Sequence, residues 1–168
     1  MGESPEIYTN CHITVTIPGI SGGMNKLLFN SFTPPSWSTD APKHKFYGEN
    51  ATTEVLHGGA QVENWGPAQL GRGVDKEHLL FQWVQEIRKK GPNAAKKDVE
   101  IKIEDMDESG SATGIAVWNG KGVIITNFSP GASNAATNEI MTESVTLEAE
   151  KWEMMNGEGQ PIGEGPIE

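Results

Sequence analysis

The sequence has one cysteine, few basic residues and no apolar run long enough to cross a bilayer. Because a single cysteine cannot form an intrachain disulfide, Cys11 is predicted to be a small buried side chain and not a nucleophile. The first ten residues are polar and acidic, and they lack the basic and then apolar pattern of a signal peptide. We therefore expect a soluble protein, with no membrane insertion, made in a reducing cytoplasm.

Positive charge is scarce along the whole chain. The sequence has 13 Lys and Arg against 23 Asp and Glu, which gives a net charge of −10. Proteins that bind the phosphate backbone of nucleic acids tightly need clustered basic side chains. The composition therefore argues against a nucleic-acid-binding protein.

The sequence also lacks metal ligands at a recognisable spacing. The four histidines, His12, His44, His57 and His78, are scattered. Cys11 and His12 are neighbours on a predicted strand, so their side chains point to opposite faces and cannot act together. Residues 105–110 begin like a calcium-binding loop, but Ala116 stands where such a loop requires a bidentate Glu. An acidic turn is the favoured interpretation.

Catalytic groups are not apparent either. Residues 71–73 read Gly-Arg-Gly before a predicted helix, but the Gly-Lys-Ser/Thr ending of a phosphate-binding loop is missing. Arg72 is therefore predicted to be a structural or interface cation. The acidic residues alternate with apolar ones, which is typical of a solvated strand face. We predict no catalytic, cofactor-binding or metal-binding residue, no cofactor and no enzymatic activity.

Most of the chain alternates between apolar and polar residues, as half-buried strands do. Asn119 and Gly120 lie between two such runs and predict a hairpin turn. Residues 34–73 are rich in Gly, Pro, Asn and Thr, and we predict short strands there with a projecting loop around 48–66. The predicted strands outside that region are 8–17, 27–33, 98–105, 112–118, 122–128 and 143–152.

One segment, from about residue 75 to 90, has the period of an amphipathic helix. Asp75 is a good N-cap, and Gly91 with Pro92 ends the helix. The apolar residues form one continuous face, which is predicted to lie in the core. These residues are Leu79, Leu80, Trp83, Val84 and Ile87.

A single helix among many short strands predicts a mainly β fold, an antiparallel β-barrel or sandwich in which the helix covers an edge or an end. A length of 168 residues suggests one domain. We place this domain at residues 8–153. A flexible arm at 1–7 precedes it, and an acidic tail rich in Gly and Pro follows at 154–168.

From the first strand to Trp152, the layout resembles the tail-tube (inner-tube) protein family of contractile phage tails and related injection systems. The type VI secretion tube protein has a related fold. The first matching segment is LGRGV at 70–74, before the helix that carries Trp83. The second is DVEIKI at 98–103, and the third is AATNEI at 135–140, which leads into ESVTLE at 143–148.

The resemblance implies a structural subunit that forms hexameric rings, whose inner strands join into one β-barrel around a channel. Stacked rings would form the tube of a phage tail or an injection system, a conduit for the passage of DNA or effectors. The implied partners are other copies of the chain and sheath, baseplate or initiator, and terminator proteins. Nucleic acid or an effector would be passing cargo. The protein would be made in the bacterial cytoplasm and assembled in a virion tail or an injection particle.

Within such a tube, some acidic side chains are expected to line the channel. The strands at 98–105 and 143–152 each have an apolar face for the core and a polar face for the lumen or the outer wall. The candidate lumen acids are Glu100, Glu104, Glu148 and Glu150, which would repel polyanionic cargo from the wall. Trp65 and Arg72 are the candidate interface residues, and the loop around 48–66 is the candidate contact between subunits.

A second interpretation is a monomeric β-sandwich module that binds carbohydrate or acts as an adhesin. Trp37 and Trp65 would then be stacking platforms for sugar rings, although loop tryptophans more often anchor the loop itself. Persistent monomers with affinity for glycans would favour this interpretation, whereas tubes would exclude it.

Overall fold

The computed structural model describes residues 11–19, 26–40, 43–47, 53–57, 62–74, 78–106, 109–131, 136 and 141–163. Within them, twelve strands and one helix follow one another. The first eight strands are β1 (Cys11–Thr16), β2 (Lys26–Phe29), β3 (Ser31–Thr33), β4 (Trp37–Asp40), β5 (Lys43–Tyr47), β6 (Thr53–His57), β7 (Val62–Trp65) and β8 (Ala68–Gly73). They are followed by α1 (Leu79–Lys90), β9 (Lys97–Met106), β10 (Ala112–Pro130), β11 (Thr142–Glu148) and β12 (Lys151–Asn156).

The largest sheet is antiparallel and has the order β2-β1-β9-β10-β11-β8-β3, with β12 paired to β10. Its two end strands, β2 and β3, are separated in the chain by Asn30, whose N–H donates to the carbonyl of Gly71 on β8 at 3.0 Å. The sheet must therefore curl until its ends meet, and the curl encloses the apolar side chains. The predicted mainly β, antiparallel fold with one helix is confirmed.

Strand β10 is 19 residues long and belongs to both halves of the curled sheet. From Ala112 to Val123 it pairs with β9, and β12 lies on its other side. Residues 124–130 pair with β11 instead. We call β2, β1, β9, the first half of β10 and β12 the first sheet. The second half of β10 with β11, β8 and β3 is the second sheet.

The hairpin turn predicted at Asn119 and Gly120 is wrong, because β10 runs through this point with a bulge. Its register against β9 shifts between Gly120 and Val123, and Gly122 has a φ of 61°. A Cβ at Gly120 would lie 2.7 Å from the ring of Trp152, so glycine lets that buried ring pack against the backbone. Glycine favours a bulge at a sheet corner as well as a tight turn, and the sequence pattern does not separate the two.

The core lies inside the curl, where the long strands of the curled sheet contribute alternate residues. On β9, Val99 and Ile101 are buried, whereas Glu100 between them is exposed. Helix α1 closes the core through Trp83, whose Nε1 donates to the carbonyl of Ala95 at 2.9 Å. The other large, fully buried side chains are Trp152, Ile17, Leu70, Leu80, Ile101, Leu147, Val15, Val99 and Val123.

Helix α1 begins at Leu79 and not near residue 75, so the predicted start is wrong. His78 stands at the N-cap position with a left-handed φ of 50°, and no side chain caps the helix there. Asp75, the predicted N-cap, lies outside the described residues, but a left-handed residue at 78 cannot belong to the helix. The predicted end is correct, because the N–H of Gly91 donates to the carbonyl of Ile87 at 2.9 Å.

Strands β3 to β8 pair in a nested antiparallel order, which we call the ribbon. β3 pairs with β8 in the curled sheet, and β4 with β7 and β5 with β6 form two separate two-stranded sheets. The first two pairs share one register, since Ser31 faces Gly71 and Trp37 faces Trp65. The loop predicted around 48–66 is wrong where β6 and β7 lie; residues 48–52 and 58–61 lie outside the described residues. We call residues 37–65 the arm, which is a different segment from the flexible arm predicted at residues 1–7.

A bend at Ala149 and Glu150 divides the strand predicted at 143–152 into β11 and β12. The N–H of Glu150 donates to the carbonyl of Lys121 at 2.9 Å, so the bend lies beside the bulge of β10. Because β10 turns from one sheet to the other here, its neighbour must turn with it. β12 continues to Asn156, and Met155 bridges to Pro161, so strand structure extends past the domain end predicted at 153.

Candidate functional site

The described residues contain no group of three or more His, Cys, Asp or Glu side chains that could hold a metal. No helix in the described part of the chain is long and apolar enough to cross a membrane. The features with the clearest capacity for interaction are the open strand edges, the outward faces of the two sheets and the arm.

Four strands of the curled sheet have an edge without a partner strand among the described residues. Pairing between β9 and β10 ends at Val123, so residues 124–130 of β10 are paired on the β11 side alone. β2 pairs with β1 alone, β3 with β8 alone, and β12 with β10 alone. Such edges present unpaired N–H and C=O groups that favour the addition of another strand.

The outward face of the first sheet carries charges of both signs. Along β9, the polar residues Glu100, Lys102 and Glu104 alternate with the apolar core row. Lys102 and Glu104 form an ion pair, with Nζ 3.3 Å from Oε1. This is the ordinary chemistry of a solvated sheet face.

The outward face of the second sheet is different, because Ser, Thr, Asn and Gln occupy most of it. Cross-strand pairing brings Ser129, Ser144 and Ser31 into one row through Gly71. It brings Asn127, Thr146, Gln69 and Thr33 into the next row. We call these seven residues the neutral face; all are exposed except Thr146, which is half-buried.

The four candidate lumen acids do not share one surface. Glu100 and Glu104 lie on the outward face of the first sheet, on β9. Glu148 lies at the end of β11 in the second sheet, opposite Ile124 and beside the neutral face. Glu150 lies on the bend and forms an ion pair with Lys96. The bend therefore separates Glu148 from Glu150, which the sequence pattern placed in one row.

Arg72, a candidate interface residue, is buried inside the subunit at 8% exposure. It faces Glu143 across β8 and β11, and its Nε lies 3.7 Å from a carboxylate oxygen of Glu143. Its Nε also donates to the carbonyl of Gly73 at 3.1 Å, and its guanidinium lies 5.6 Å from the ring centre of Phe29. Sequence reasoning missed Glu143, although alternation on β11 assigns it to the buried row of Val145 and Leu147.

Trp65, the other candidate interface residue, is half-buried at the base of the arm. It packs edge-on against Trp118, with ring centres 6.1 Å apart. Its partner across the ribbon, Trp37, is 52% exposed. The two tryptophans therefore do not form a shared exposed platform, and Trp37 is the accessible one.

The helix-core residues lie where the period of the helix predicted them. Leu79, Leu80 and Trp83 are buried, and Val84 and Ile87 pack against the core as partly buried residues. The sequence analysis did not single out Phe81, which is on the outer side of the helix and packs against Phe128 of β10 at a ring distance of 5.7 Å.

Glu86 joins the helix to β9. Its carboxylate lies 3.0 Å from Nζ of Lys97 and 3.4 Å from Nζ of Lys90. The hydrogen bond from Lys97 is the main cause that lowers the pKa of Glu86 below 4.5; the charges of both lysines and the hydrogen bond from Lys90 add to it, while burial opposes it.

The curled antiparallel sheet with its single helix and open edges matches a known family. The family model described as T4-like virus tail tube protein gp19 matches residues 9–153. The chain belongs to this tail tube family. It is therefore a tail tube protein, a structural component of the particle and not an enzyme. The family resemblance stated from the sequence is confirmed.

Solved structures of tube proteins have the same fold. A chain in the cryo-EM structure of the anti-feeding prophage baseplate is 16% identical, with a TM-score of 0.64 over 92% of this chain and 98% of that one. A chain in the sheath-tube complex of an extracellular contractile injection system, PVC, is 20% identical, with a TM-score of 0.60 over 92% and 93%. Hcp1 from Flavobacterium johnsoniae is 13% identical, with a TM-score of 0.51 over 87% and 96%. No curated protein matches the chain.

Proposed function

We propose that six copies of this chain close into a ring and that the rings stack into a tube that conducts DNA or effector proteins. The observation that carries the proposal is a family match over residues 9–153 in a subunit whose sheet has open edges. Open edges are aggregation-prone unless another strand covers them. A ring in which each subunit pairs with the next covers them without a separate capping element.

We place this joint, the contact between neighbouring subunits of a ring, at the second sheet. Its two outer strands, β10 at residues 124–130 and β3, both have an open edge among the described residues. The two edges lie on opposite sides of one four-stranded sheet, so a head-to-tail contact continues the sheet from subunit to subunit. Six such sheets then close into one barrel around the channel.

The arm is the proposed contact between stacked rings. It continues the ribbon of β3 and β8, and it carries the exposed Trp37 beside Trp65 at its base. Large aromatic residues are enriched at protein interfaces, where they bury much surface. In this proposal Arg72 acts on the joint indirectly, because it holds β8 to β11 from inside the subunit.

The wider partners follow from the particles in which similar chains occur. The similar structures include a baseplate, a terminating cap and a sheath-tube complex. We therefore propose that the tube formed by this chain starts on a baseplate or initiator, ends at a terminator and is surrounded by a sheath. Cargo passes without being bound, in accord with a net charge of −10. The chain would be made in the bacterial cytoplasm before assembly.

Self-assembly of the purified chain tests the proposal. Size-exclusion chromatography with light scattering should give a sixfold ring, and negative-stain microscopy at higher concentration should give rings or rods. A strict monomer at every concentration would contradict the proposal, and glycan affinity of that monomer would favour the carbohydrate-binding interpretation.

A further inference from the structure

Exposed apolar side chains concentrate at the base of the arm and in the turn after β12. In the described part of the chain, the exposed large apolar residues are Trp37, Phe81, Met141, Met154 and Ile162. Trp37 begins the arm, Met154 is on β12 and Ile162 follows it in the turn, and they are 52%, 45% and 58% exposed. We call these three residues the apolar patch. A contiguous apolar patch on a protein surface marks a site of interaction, whereas single exposed apolar residues do not.

The turn after β12, residues 156–163, is held in place along the outer edge of that strand. Met155 pairs with β10 on one side and bridges to Pro161 on the other, so the turn folds back beside β12. The side-chain oxygen of Asn156 accepts hydrogen bonds from the N–H groups of Glu158, at 3.0 Å, and Gln160, at 2.8 Å. The turn is therefore an ordered part of the surface.

A contact between two tryptophans connects this turn with the arm. The antiparallel bridge brings Ile162 beside Met154, and Met154 lies opposite Trp118 across β12 and β10. Trp118 packs edge-on against Trp65, with ring centres 6.1 Å apart, and Trp65 pairs with Trp37. The three residues of the apolar patch are therefore grouped around the Trp65–Trp118 contact.

The apolar patch lies at one end of the second sheet. The arm lies between β3 and β8 in the chain, and these strands pair, so the arm extends from one end of both. At the other end, Gly73 of β8 faces Thr142 of β11, next to the exposed Met141. In the proposed ring the second sheets join side by side, and barrel strands are tilted by only about 40° from the axis, so the two ends of the sheet face neighbouring rings.

We propose that the apolar patch is a contact between stacked rings, and that it is covered by a second copy of this chain in the next ring, at the end of the second sheet that carries Met141. This inference rests on the proposed function. The arm extends from the patch, so the two form one surface, and head-to-tail stacking covers that surface in every ring except the last. Residues 156–163, which the sequence places in an acidic tail, thereby become part of the stacking surface.

Cysteine labelling tests whether the patch is covered by stacking. In a Cys11→Ser background, Ile162→Cys is treated with a maleimide as dissociated subunits, as single rings and as rods. It should react equally fast in subunits and single rings, and about tenfold or more slowly in rods, because a covered thiol reacts only after local opening. Lys89→Cys, at an exposed position near the end of α1, is the control and should react at one rate in all three.

A pair of substitutions in the turn tests whether the contact is apolar. Ile162→Glu should raise the protein concentration needed for rods by about tenfold or more, because a carboxylate replaces an apolar side chain that stacking buries. Rings and thermal unfolding should not change, since Ile162 is exposed in the subunit. Gln160→Glu adds the same charge to the same turn and should form rods as the parent does.

Each other result has a defined meaning. Protection of Ile162→Cys in dissociated subunits would show that residues 164–168 of the same chain cover the patch, and protection in single rings would assign it to the joint within a ring. Either result overturns the inference, as do undiminished labelling in rods and equal effects of Ile162→Glu and Gln160→Glu. If the parent chain forms no rings or rods, the proposed function fails first, and microscopy shows this before any labelling.

Discussion

The buried ion pair of Arg72 and Glu143 lies where β-strands usually hold apolar residues. Glu143 is 3% exposed and occupies the same strand face as Val145 and Leu147. Burial of two charges costs much solvation free energy, which their mutual attraction and hydrogen bonds must offset. The pair therefore adds little net stability over an apolar pair but makes each partner dependent on the other.

Loss of one partner should lower the free energy of unfolding far more than replacement of both partners by apolar residues. We expect Glu143→Ala to lower the free energy of unfolding by about 3–5 kcal/mol, because it leaves the guanidinium of Arg72 buried without its carboxylate. Replacement of both residues by apolar ones, Arg72→Met with Glu143→Leu, should restore most of the loss. Urea denaturation of dissociated subunits measures both values.

The exposed acid Glu148 on the same strand is the control for this prediction. Glu148→Ala should change the free energy of unfolding by no more than about 0.5 kcal/mol. Equal losses for Glu143→Ala and Glu148→Ala would mean that the ion pair does not have the role assigned to it.

At the scale of elements, periodicity predicted most strands and the buried face of the helix. Alternation along β9 and β11 gave the correct inward rows, because burial of one face imposes a period of two. The start of α1 and the path of β10 were not predictable in the same way. Asn119 and Gly120 have the local chemistry of a turn, and tertiary packing of Trp152 against Gly120 decides that the strand continues.

The candidate surfaces were less predictable than the fold. Alternation assigns Glu100 and Glu148 to outward faces, but it does not say that these faces belong to different sheets. That separation depends on the corner in β10 and on the bend at Ala149 and Glu150. Long-range pairing creates both features, and local sequence does not encode it.

The stability that the ion pairs of Glu86 contribute by linking α1 to β9 should depend on pH. The pKa of Glu86 is lowered in the folded protein by Lys97 and Lys90. A carboxylate with a lowered folded pKa contributes stability above its unfolded pKa, and this contribution is lost as the pH falls through the folded pKa. We expect Glu86→Gln to be less stable than the parent at pH 7 and equally stable once the pH is well below 4.5.

Thermal unfolding of parent and variant across this pH range measures the effect. Glu153→Gln is a suitable control, since Glu153 lies on β12 and forms no ion pair with another described residue. A stability difference between the parent and Glu86→Gln that stays constant from pH 7 to pH 3 would show that the charge of Glu86 does not stabilise the link.

At the scale of the whole molecule, we propose that the arm and the curled sheet have separate tasks. The described core residues outside the arm come from the curled sheet and α1, together with Ile17 just after β1 and Ala149 on the bend. Among the arm residues whose side chains the structure describes, Trp65 is the one packed against that cluster. Removal of the outer arm should therefore leave the subunit folded while it removes the proposed contact between rings.

The register of the ribbon allows this deletion to be made cleanly. Asp40 and Val62 face each other across β4 and β7, so residues 41–61 can be replaced by the two-residue turn Asn-Gly. We expect the shortened chain to keep the thermal stability of the parent and to form single rings in negative stain, but no rods. Trp37→Ala, which removes one exposed aromatic side chain and leaves the ribbon intact, should give shorter rods at the same protein concentration. Normal rods from the shortened chain would show that another surface stacks the rings, and loss of the rings themselves would show that the arm belongs to the joint within a ring.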